Sequence, residues 1–192
     1  MNQLYLKRIE IFPIKSLDGV PLEECAITAG GILQNDRIFA IMDAAGKVVN
    51  GKRTARIHQL RSTFNQEIDE VSLRETGQTA AQQFSLKETA PLNQWLSDFF
   101  GFPVTIKRDS EKGFPDDLTA FGPTITSEPS LRAICEWYPE LAMESVRRRF
   151  RTNLELDGGA AFCEDALYGA PGELKPFGID GVRDRPQVLP RP

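Results

Sequence analysis

Long apolar runs, paired cysteines and histidines are all scarce in this chain, and each shortage excludes a class of protein. No run of about 18 apolar residues occurs among the 192 residues, so we expect no membrane-spanning helix. The N-terminal stretch MNQLYLKRIE lacks the apolar segment of a secretory signal peptide. Cys25, Cys135 and Cys163 form no CxxC pair, and His58 alone cannot complete a zinc site. We therefore expect a reduced, cytoplasmic protein that holds no structural metal.

The charge balance narrows the range of partners. A net charge of −4 gives no overall positive field that would attract nucleic acid or an anionic membrane surface. An apolar fraction of 41% is typical of a folded globular chain. The sequence contains no GxGxxG, Walker, HExxH or GxSxG motif. Any anion-binding site must therefore be local, and we expect neither nucleic acid nor a membrane as partner.

Strand patterns outnumber helical ones along the chain. Apolar runs and alternations bounded by Gly, Pro and Asp predict strands at 4–12, 24–28, 36–43, 48–50, 63–68, 83–86 and 102–107. Because these strands rarely alternate with helices, the pattern favours an α+β fold that is mostly β, with barrel-like sheets and a few helices. The polar stretch DSEKGFPDD predicts a mobile loop, and the proline- and arginine-rich tail from about Asp180 predicts an extended or disordered end.

Two amphipathic helices are predicted among these strands. In TAPLNQWLSDFFG, apolar residues recur at helical spacing, with Thr89 as N-cap, Pro91 in the first turn and Gly101 at the end. The stretch SEPSLRAICEWY carries a second apolar stripe. Trp95 and Trp137 lie on these two helices, and we expect both in the core.

Four arginines in RRRFRTNLEL, residues 147–156, form the densest cluster of charge. If this stretch is a strand, Arg147, Arg149, Arg151 and Asn153 share one face, with successive arginines about 7 Å apart. That spacing suits a phosphate or another divalent anion gripped by guanidinium groups. A solvated basic face beside a hairpin explains the same residues, since most charge runs are exposed surface. Spacing alone leaves both interpretations open.

Two further basic residues stand at the ends of predicted strands. Lys15 in FPIKSLDG precedes a turn, where its ammonium group and the Ser16 hydroxyl could lie at the rim of a sheet, or where Lys15 could simply be an edge charge that prevents aggregation. Arg37 begins an apolar strand and needs an anionic partner, which could be Asp36 or a ligand anion, and an ion pair with Asp36 is the favoured interpretation. The adjacent carboxylates of Glu164–Asp165 point apart and make a poor acid/base pair.

In combination, these segments resemble the MOSC family. IFPIKSLDGV and GGILQNDRIFAIMDAAGKVVNGKR resemble the N-terminal β-barrel domain that precedes MOSC domains. FGPTITSEPSLRAICEWYP, RRRFRTNLELDG and AFCEDALYGAPGE resemble the first part of the MOSC domain itself. The similarity covers about residues 4–180 in the family's order. It implies two barrel-like β domains that share an interface, at 1–110 and 111–192, of which the second is partial.

The resemblance also implies a ligand and positions for it. MOSC domains bind molybdenum cofactor, a molybdopterin, or carry sulfur for it, and relatives such as the mitochondrial amidoxime-reducing component reduce N-hydroxylated compounds. By position, seven residues would hold the phosphate and pterin of the cofactor: Lys15, Ser16, Arg37, Ser130, Arg149, Arg151 and Asn153. Ser130 would add its hydroxyl at a helix N-terminus, a favourable place for phosphate. With the family in view, an anion site becomes the favoured interpretation of the arginine cluster.

One feature that the resemblance leads us to expect is missing. MOSC proteins carry a cysteine downstream of the ED motif, which supplies a thiolate to molybdenum or carries a persulfide. This sequence has no cysteine after Cys163, which lies inside FCED, where the family does not place its ligand. The resemblance therefore implies a cofactor-binding member whose oxidoreductase or sulfur-carrier chemistry is impaired. A non-enzymatic module for a phosphate-bearing ligand or protein partner is the alternative.

Two expectations about partners follow from this interpretation. The chain has no ferredoxin-like cysteine cluster, so any reduction would require electrons from a reductase or a ferredoxin-type protein. An incomplete barrel would expose a sheet edge and apolar surface. We therefore expect reduced stability, or a homodimer formed through that edge.

Overall fold

The computed structural model describes residues 4–117 and 122–167, and within these ranges the chain is mostly β with three α-helices. The strands are β1 (Tyr5–Ile11), β2 (Val20–Leu22), β3 (Phe39–Asp43), β4 (Leu60–Phe64), β5 (Glu70–Glu75), β6 (Gln82–Ser85), β7 (Val104–Arg108), β8 (Ile125–Ser127) and β9 (Leu154–Asp157). The helices are α1 (Ala90–Phe100), α2 (Glu128–Trp137) and α3 (Met143–Phe150), with 3₁₀ turns at Ala55–Gln59 and Cys163–Leu167. The predicted α+β class is confirmed.

The described chain divides into two compact units. The central unit contains Ile11–Val20 and Ala26–Asp116, and the terminal unit contains the described parts of Met1–Glu10, Pro21–Cys25 and Asp117–Pro192. The predicted domain boundary between residues 110 and 111 stays a prediction. The tail predicted from Asp180 lies outside the described residues. No helix in the described ranges is long and apolar enough to cross a membrane.

The central unit packs two small antiparallel sheets and helix α1 around one apolar core. Strand β3 pairs with β7, and β4, β5 and β6 form a meander in that order. Alternate residues of β5 point inward, so Val71 and Leu73 are buried between half-buried neighbours. Leu92 and Leu96 of α1 are fully buried in the same cluster. The described strands of this unit form separate sheets and no closed barrel.

The structure confirms the predicted position of helix α1, but Thr89 does not cap it with its side chain as predicted. Gly101 ends the helix in the left-handed conformation, with φ of 79°. Trp95 packs against the core and stacks on Phe99, with 5.8 Å between ring centroids. Thr89 makes no side-chain cap, because its backbone is already helical and its hydroxyl lies 3.5 Å from the Asn93 side-chain amide.

The terminal unit is built on a sheet of strand order β2-β1-β9-β8, in which β9 runs antiparallel to β1 and parallel to β8. Leu156 of β9 is fully buried, and Ser127 links the end of β8 directly to α2. The Ser127 backbone is extended and its hydroxyl accepts the N–H of Ser130 at 3.3 Å, which starts the helix. The helix predicted in SEPSLRAICEWY is confirmed.

Several strand boundaries differ from the predictions. The strand expected at 24–28 is wrong, since Ile27 makes only an isolated bridge with Leu33. The stretch 48–50 likewise contributes one bridge, from Val48 to Met42. The central strand β5 went unpredicted, because EVSLRE contains only two apolar residues, Val71 and Leu73. A short strand with such weak alternation is stabilised by pairing with its two neighbouring strands rather than by the strand preference of its own residues.

Candidate functional site

A buried lysine in the central unit is held by a loop that lies about 100 residues further along the chain. Lys15 is 8% exposed, and its ammonium group donates hydrogen bonds to the carbonyl oxygens of Phe114 (2.9 Å) and Pro115 (2.8 Å). The ammonium group also pairs with the carboxylate of Asp116 at 2.9 Å. All three of its N–H donors therefore have acceptors within the chain.

Arg37 lies beside the same loop, because its backbone binds that loop directly. The N–H of Phe114 donates to the Arg37 carbonyl oxygen at 2.8 Å. The Arg37 guanidinium pairs with Asp36 and lies over the ring of Phe12, 5.3 Å from its centroid. Asp36 is 5% exposed and also accepts the N–H of Phe12 at 2.8 Å. The ion pair expected between Asp36 and Arg37 is confirmed.

Residues with positive φ shape this region, among them Arg37 itself, with φ of 52°. Gly113 has φ of 60°, and a Cβ at this position would lie 3.1 Å from the Arg37 carbonyl oxygen and 3.2 Å from that of Asp36. Glycine therefore allows the loop to approach the Asp36–Arg37 backbone closely. Ser16 has φ of 73° and turns the chain directly after Lys15. Its hydroxyl makes no hydrogen bond with a described residue, so it can accept or donate to a ligand.

The Lys15 cluster, by which we mean Lys15, Arg37 and Asp116 with the loop carbonyls, stabilises negative charge. Burial works against ionisation of Asp116, but hydrogen bonding to Lys15 and attraction to Lys15, Arg37 and Lys52 outweigh it, so the pKa of Asp116 is lowered. The carboxylate of Asp116 thus shows that the cluster accepts an oxyanion. Sequence reasoning missed Asp116, because nothing in the polar stretch DSEKGFPDD distinguishes it from its neighbours.

The arginine segment is helical, which corrects the strand predicted for it. Residues Met143–Phe150 form α3, and the extended strand begins only at Leu154. Met, Glu and Arg favour helix, and Arg151 ends the helix in the left-handed conformation with φ of 55°. Arg147 and Arg149 therefore project in different directions around a helix, and the row of guanidinium groups expected on one strand face does not form.

Arg147 is the arginine of this segment that is drawn inward. Its guanidinium donates two hydrogen bonds to Glu155, at 2.8 and 2.7 Å, and one to Glu128 at 3.2 Å. Both glutamate side chains are 5% exposed. Lys7 pairs with Glu128 at 2.6 Å, and its hydrogen bond is the main cause that lowers the pKa of Glu128. This set, the Arg147 network, is a buried ionic framework rather than a ligand site.

Asn153 holds the terminal unit together through hydrogen bonds, and the pterin contact implied for it stays a prediction. Its side chain is buried and its Oδ1 accepts the N–H and the hydroxyl of Thr124, both at 3.1 Å. Its Nδ2 donates to the carbonyl oxygen of Glu10 at 3.0 Å. Asn153 thereby connects β1, β9 and the chain that leads into β8. These contacts use both its acceptor and its donor end.

The N-terminus of α2 is occupied by a carboxylate of the chain. Glu164 accepts the N–H of Ser127 at 3.0 Å and the Ser127 hydroxyl at 2.8 Å. Ser130, 2% exposed, shares a 2.7 Å hydrogen bond with Ser127 and accepts the N–H of Phe162 at 2.6 Å. The hydroxyl expected to contact a cofactor phosphate is therefore engaged inside the terminal unit. Glu164 takes the position at the helix terminus that an anion would take.

Replacing Glu164 with glutamine should lower the free energy of unfolding at neutral pH by about 1–2 kcal/mol, since charged acceptors make the stronger hydrogen bonds. Burial alone would raise the pKa of Glu164, but hydrogen bonds from Ser130, its own N–H and Ser127 lower it below its ordinary value of 4.5. A lowered folded-state pKa means that this stability is present above about pH 4.5 and is lost as pH falls through the folded value. Urea unfolding between pH 3 and 7 should show the two proteins converging at low pH. A gap of constant size would refute the electrostatic role.

The resemblance also places Arg149 and Arg151 at the pterin. Arg151 is half-buried at the end of α3, where its N–H donates to the Arg147 carbonyl oxygen at 2.9 Å. Arg149 lines an apolar groove of about 340 Å³ together with Trp137, Tyr138 and Phe150. Trp137 is 63% exposed and stacks on Phe162 at 5.5 Å, so its prediction as a core residue is wrong. The supporting contact to the pterin that the family resemblance implies for Arg149 stays a prediction.

The cysteines provide no metal site in the part of the chain that is described. Cys25, Cys135 and Cys163 form no disulfide and are half-buried, and all three belong to the terminal unit. Among the described residues, no group of three or more His, Cys, Asp or Glu side chains is placed to hold a metal ion. Lys15 and Arg37 lie in the central unit, which contains no cysteine.

These features define a mostly β, α+β protein with one cationic cluster in its central unit and one buried ionic network in its terminal unit. The chain belongs to the MOSC family: the model of the MOSC N-terminal β-barrel domain matches residues 3–103, just over half of the sequence. The Lys15 and Arg37 motifs both fall within the matched residues.

A curated protein extends the similarity beyond this domain. Molybdenum cofactor sulfurase from Oryza sativa subsp. japonica is 22% identical to the chain over 214 residues. The alignment covers 98% of this chain and 24% of the rice protein. The chain thus spans about a quarter of the length of this relative.

Proposed function

We propose that this protein binds molybdenum cofactor through the cofactor's phosphate, which pairs with Lys15 and Arg37 in the central unit. The observation that carries the proposal is the Lys15 cluster, where a buried ammonium group already holds the carboxylate of Asp116. Membership of the MOSC family and the name of the rice relative support the choice of ligand.

The chemistry of the donor groups fits the phosphate end of such a ligand. Lys15 supplies a buried point charge, Arg37 a planar guanidinium, and Ser16 a hydroxyl on the adjacent turn. When bound, the cofactor would supply the redox chemistry of its molybdenum, and this protein's residues would bind and orient it. Ser130 and Asn153 are not part of this proposal, because their side chains are buried in hydrogen bonds of the terminal unit.

The reactions of the MOSC family require more than cofactor binding. A sulfur-carrier function or the reduction of N-hydroxylated compounds would require a thiol near the metal, and the central unit contains none. Any reduction would draw its electrons from a separate reductase or ferredoxin-type protein. A non-enzymatic module that binds a phosphate-bearing ligand is the second candidate, and the thiol-free composition of the central unit favours it.

The direct test is to purify the chain from a host that makes molybdenum cofactor and to measure molybdenum and pterin per protein. We expect Lys15→Met to reduce the pterin content at least tenfold, because the main charge-assisted hydrogen bond to the phosphate is lost. Lys47→Met is the matched control, since Lys47 is exposed and carries the same charge in the same unit.

The outcomes separate the candidates. Pterin and molybdenum together in the wild-type protein, with pterin lost only in Lys15→Met, would support cofactor binding. Pterin without molybdenum would favour the non-enzymatic module. Circular dichroism should first show that Lys15→Met is folded. If the folded variant then contains as much pterin as the wild type, Lys15 is not part of the site.

A further inference from the structure

The carboxylate of Asp116 is the exchangeable partner of the Lys15 ammonium group. The other two acceptors are the backbone carbonyls of Phe114 and Pro115, whose segment is anchored by the Phe114 N–H on Arg37. Asp116 contributes only a side chain, and that side chain is 76% exposed. A side-chain rotation therefore releases Asp116, whereas releasing the carbonyls would require the loop backbone to move.

Close packing keeps this backbone in place. Gly113 lies so near the carbonyl oxygens of Asp36 and Arg37 that a single Cβ would approach them to within 3.1–3.2 Å. The carbonyls that follow thus remain directed at Lys15 whether or not Asp116 is bound. An incoming ligand has one position on the ammonium group to compete for.

The positive charges around the Asp116 carboxylate outnumber its single negative charge. Lys15, Arg37 and Lys52 all act on the Asp116 carboxylate, while Arg37 is itself paired with Asp36. A carboxylate contributes one negative charge, so a monoanion that replaced it would gain no charge and would compete with a group already tethered nearby. A dianion would bring a second charge to the surrounding cations.

We propose that Asp116 is a resident anion that sets which ligands the Lys15 cluster accepts: dianions such as phosphate monoesters displace its carboxylate, and monoanions do not. This inference rests on the proposed function, because it takes the ligand's phosphate to bind at Lys15. Asp116 is a specificity-determining residue in this scheme, since the displaced carboxylate rotates into solvent and leaves its place to the phosphate.

Population arithmetic gives the expected size of the effect. The apparent dissociation constant equals the intrinsic one divided by the fraction of molecules whose site is open. If Asp116 occupies Lys15 for about nine-tenths of the time, its removal tightens phosphate binding about tenfold.

The test is a nuclear magnetic resonance titration of the full chain with inorganic phosphate and with acetate at pH 8, followed through the backbone amides of Gly113 and Phe114. We expect Asp116→Asn to bind phosphate about tenfold more tightly than the wild type and to gain measurable acetate binding. Glu111→Gln is the matched control, because Glu111 is exposed on the same loop and its removal changes the net charge equally. It should change the phosphate affinity by less than about twofold.

Three results would overturn the inference, and they differ in whether the proposed phosphate site at Lys15 is retained. Equal phosphate affinities for Asp116→Asn and Glu111→Gln, with binding still lost in Lys15→Met, would refute displacement but keep the proposed phosphate site. Acetate binding by the wild type as tight as by Asp116→Asn would refute the selection of dianions. Absence of phosphate binding from both wild type and Asp116→Asn would refute the inference and the phosphate site together.

A measurement on the wild type guards against a variant that does not fold. The side-chain carboxyl ¹³C signal of Asp116 should shift as phosphate saturates the site, because the carboxylate exchanges Lys15 for water. A Gly113 amide that titrates while this carboxyl signal stays unchanged would show that phosphate binds without displacing Asp116.

Discussion

Replacing Arg147 with methionine is expected to lower the free energy of unfolding by about 3 kcal/mol, because it strands buried carboxylates. The side chain of Arg147 is 17% exposed, and its partners Glu128 and Glu155 are 5% exposed. Removing the guanidinium leaves Glu155 without a cationic partner among the described ion pairs. Glu128 keeps Lys7 and Arg132 as cationic partners but loses Arg147. Methionine keeps the length and helix preference of the side chain, so the loss reports the charge.

Urea unfolding measures this change, and Arg148→Met provides the control. Arg148 follows on the same helix, is exposed and makes no ion pair with a described residue, so its replacement should cost less than about 0.5 kcal/mol. Adding Glu155→Gln to Arg147→Met should recover part of the loss, because one stranded carboxylate is then neutral. Similar losses from Arg147→Met and Arg148→Met would contradict the buried network.

Replacing Asn153 with alanine should cost about 3 kcal/mol of stability, which is the second large effect. Its side chain is 1% exposed and holds Thr124 on one side and the Glu10 carbonyl oxygen on the other. Truncation leaves these buried groups without partners and opens a small cavity, and both costs add.

This substitution also decides between two roles for the RFRTN motif. A structural Asn153 loses stability on truncation, whereas a residue that contacts pterin would lose pterin content with stability unchanged. Thr152→Ala is the neighbouring control, since the Thr152 hydroxyl makes no hydrogen bond with a described residue. Thermal unfolding of both variants, combined with their pterin content, distinguishes the roles.

The positions that sequence reasoning placed correctly depend on local signals. Helix α1 follows from its apolar spacing and from Gly101, which accommodates the left-handed conformation that ends the helix. The pairing of Asp36 with Arg37 follows from two opposite charges at the edge of an apolar stretch. Each signal lies within about a dozen residues, where spacing alone constrains which groups can meet.

The arginine segment shows where that reasoning fails. The alternation Phe150, Thr152, Leu154 suggested a strand, but the strand begins only at Leu154 and the preceding residues are helical. Met143 to Arg149 contains strong helix formers, and this preference was the signal that the alternation obscured. Arg147 contacts both Glu128 and Glu155, and no pattern within the segment distinguishes it from its neighbours.

The sequence by itself determined the mostly β, α+β class, the two long helices and the family, because these depend on periodicity and on ordered short motifs. Tertiary structure alone decided which charges are buried and what each one holds: Asp116 on Lys15, Glu164 on the α2 terminus and Glu155 on Arg147. The physical reason is distance along the chain. A charge needs its partner within a few ångströms in space, and folding brings that partner from as far as 150 residues away, as it does for Lys7 and Asp157.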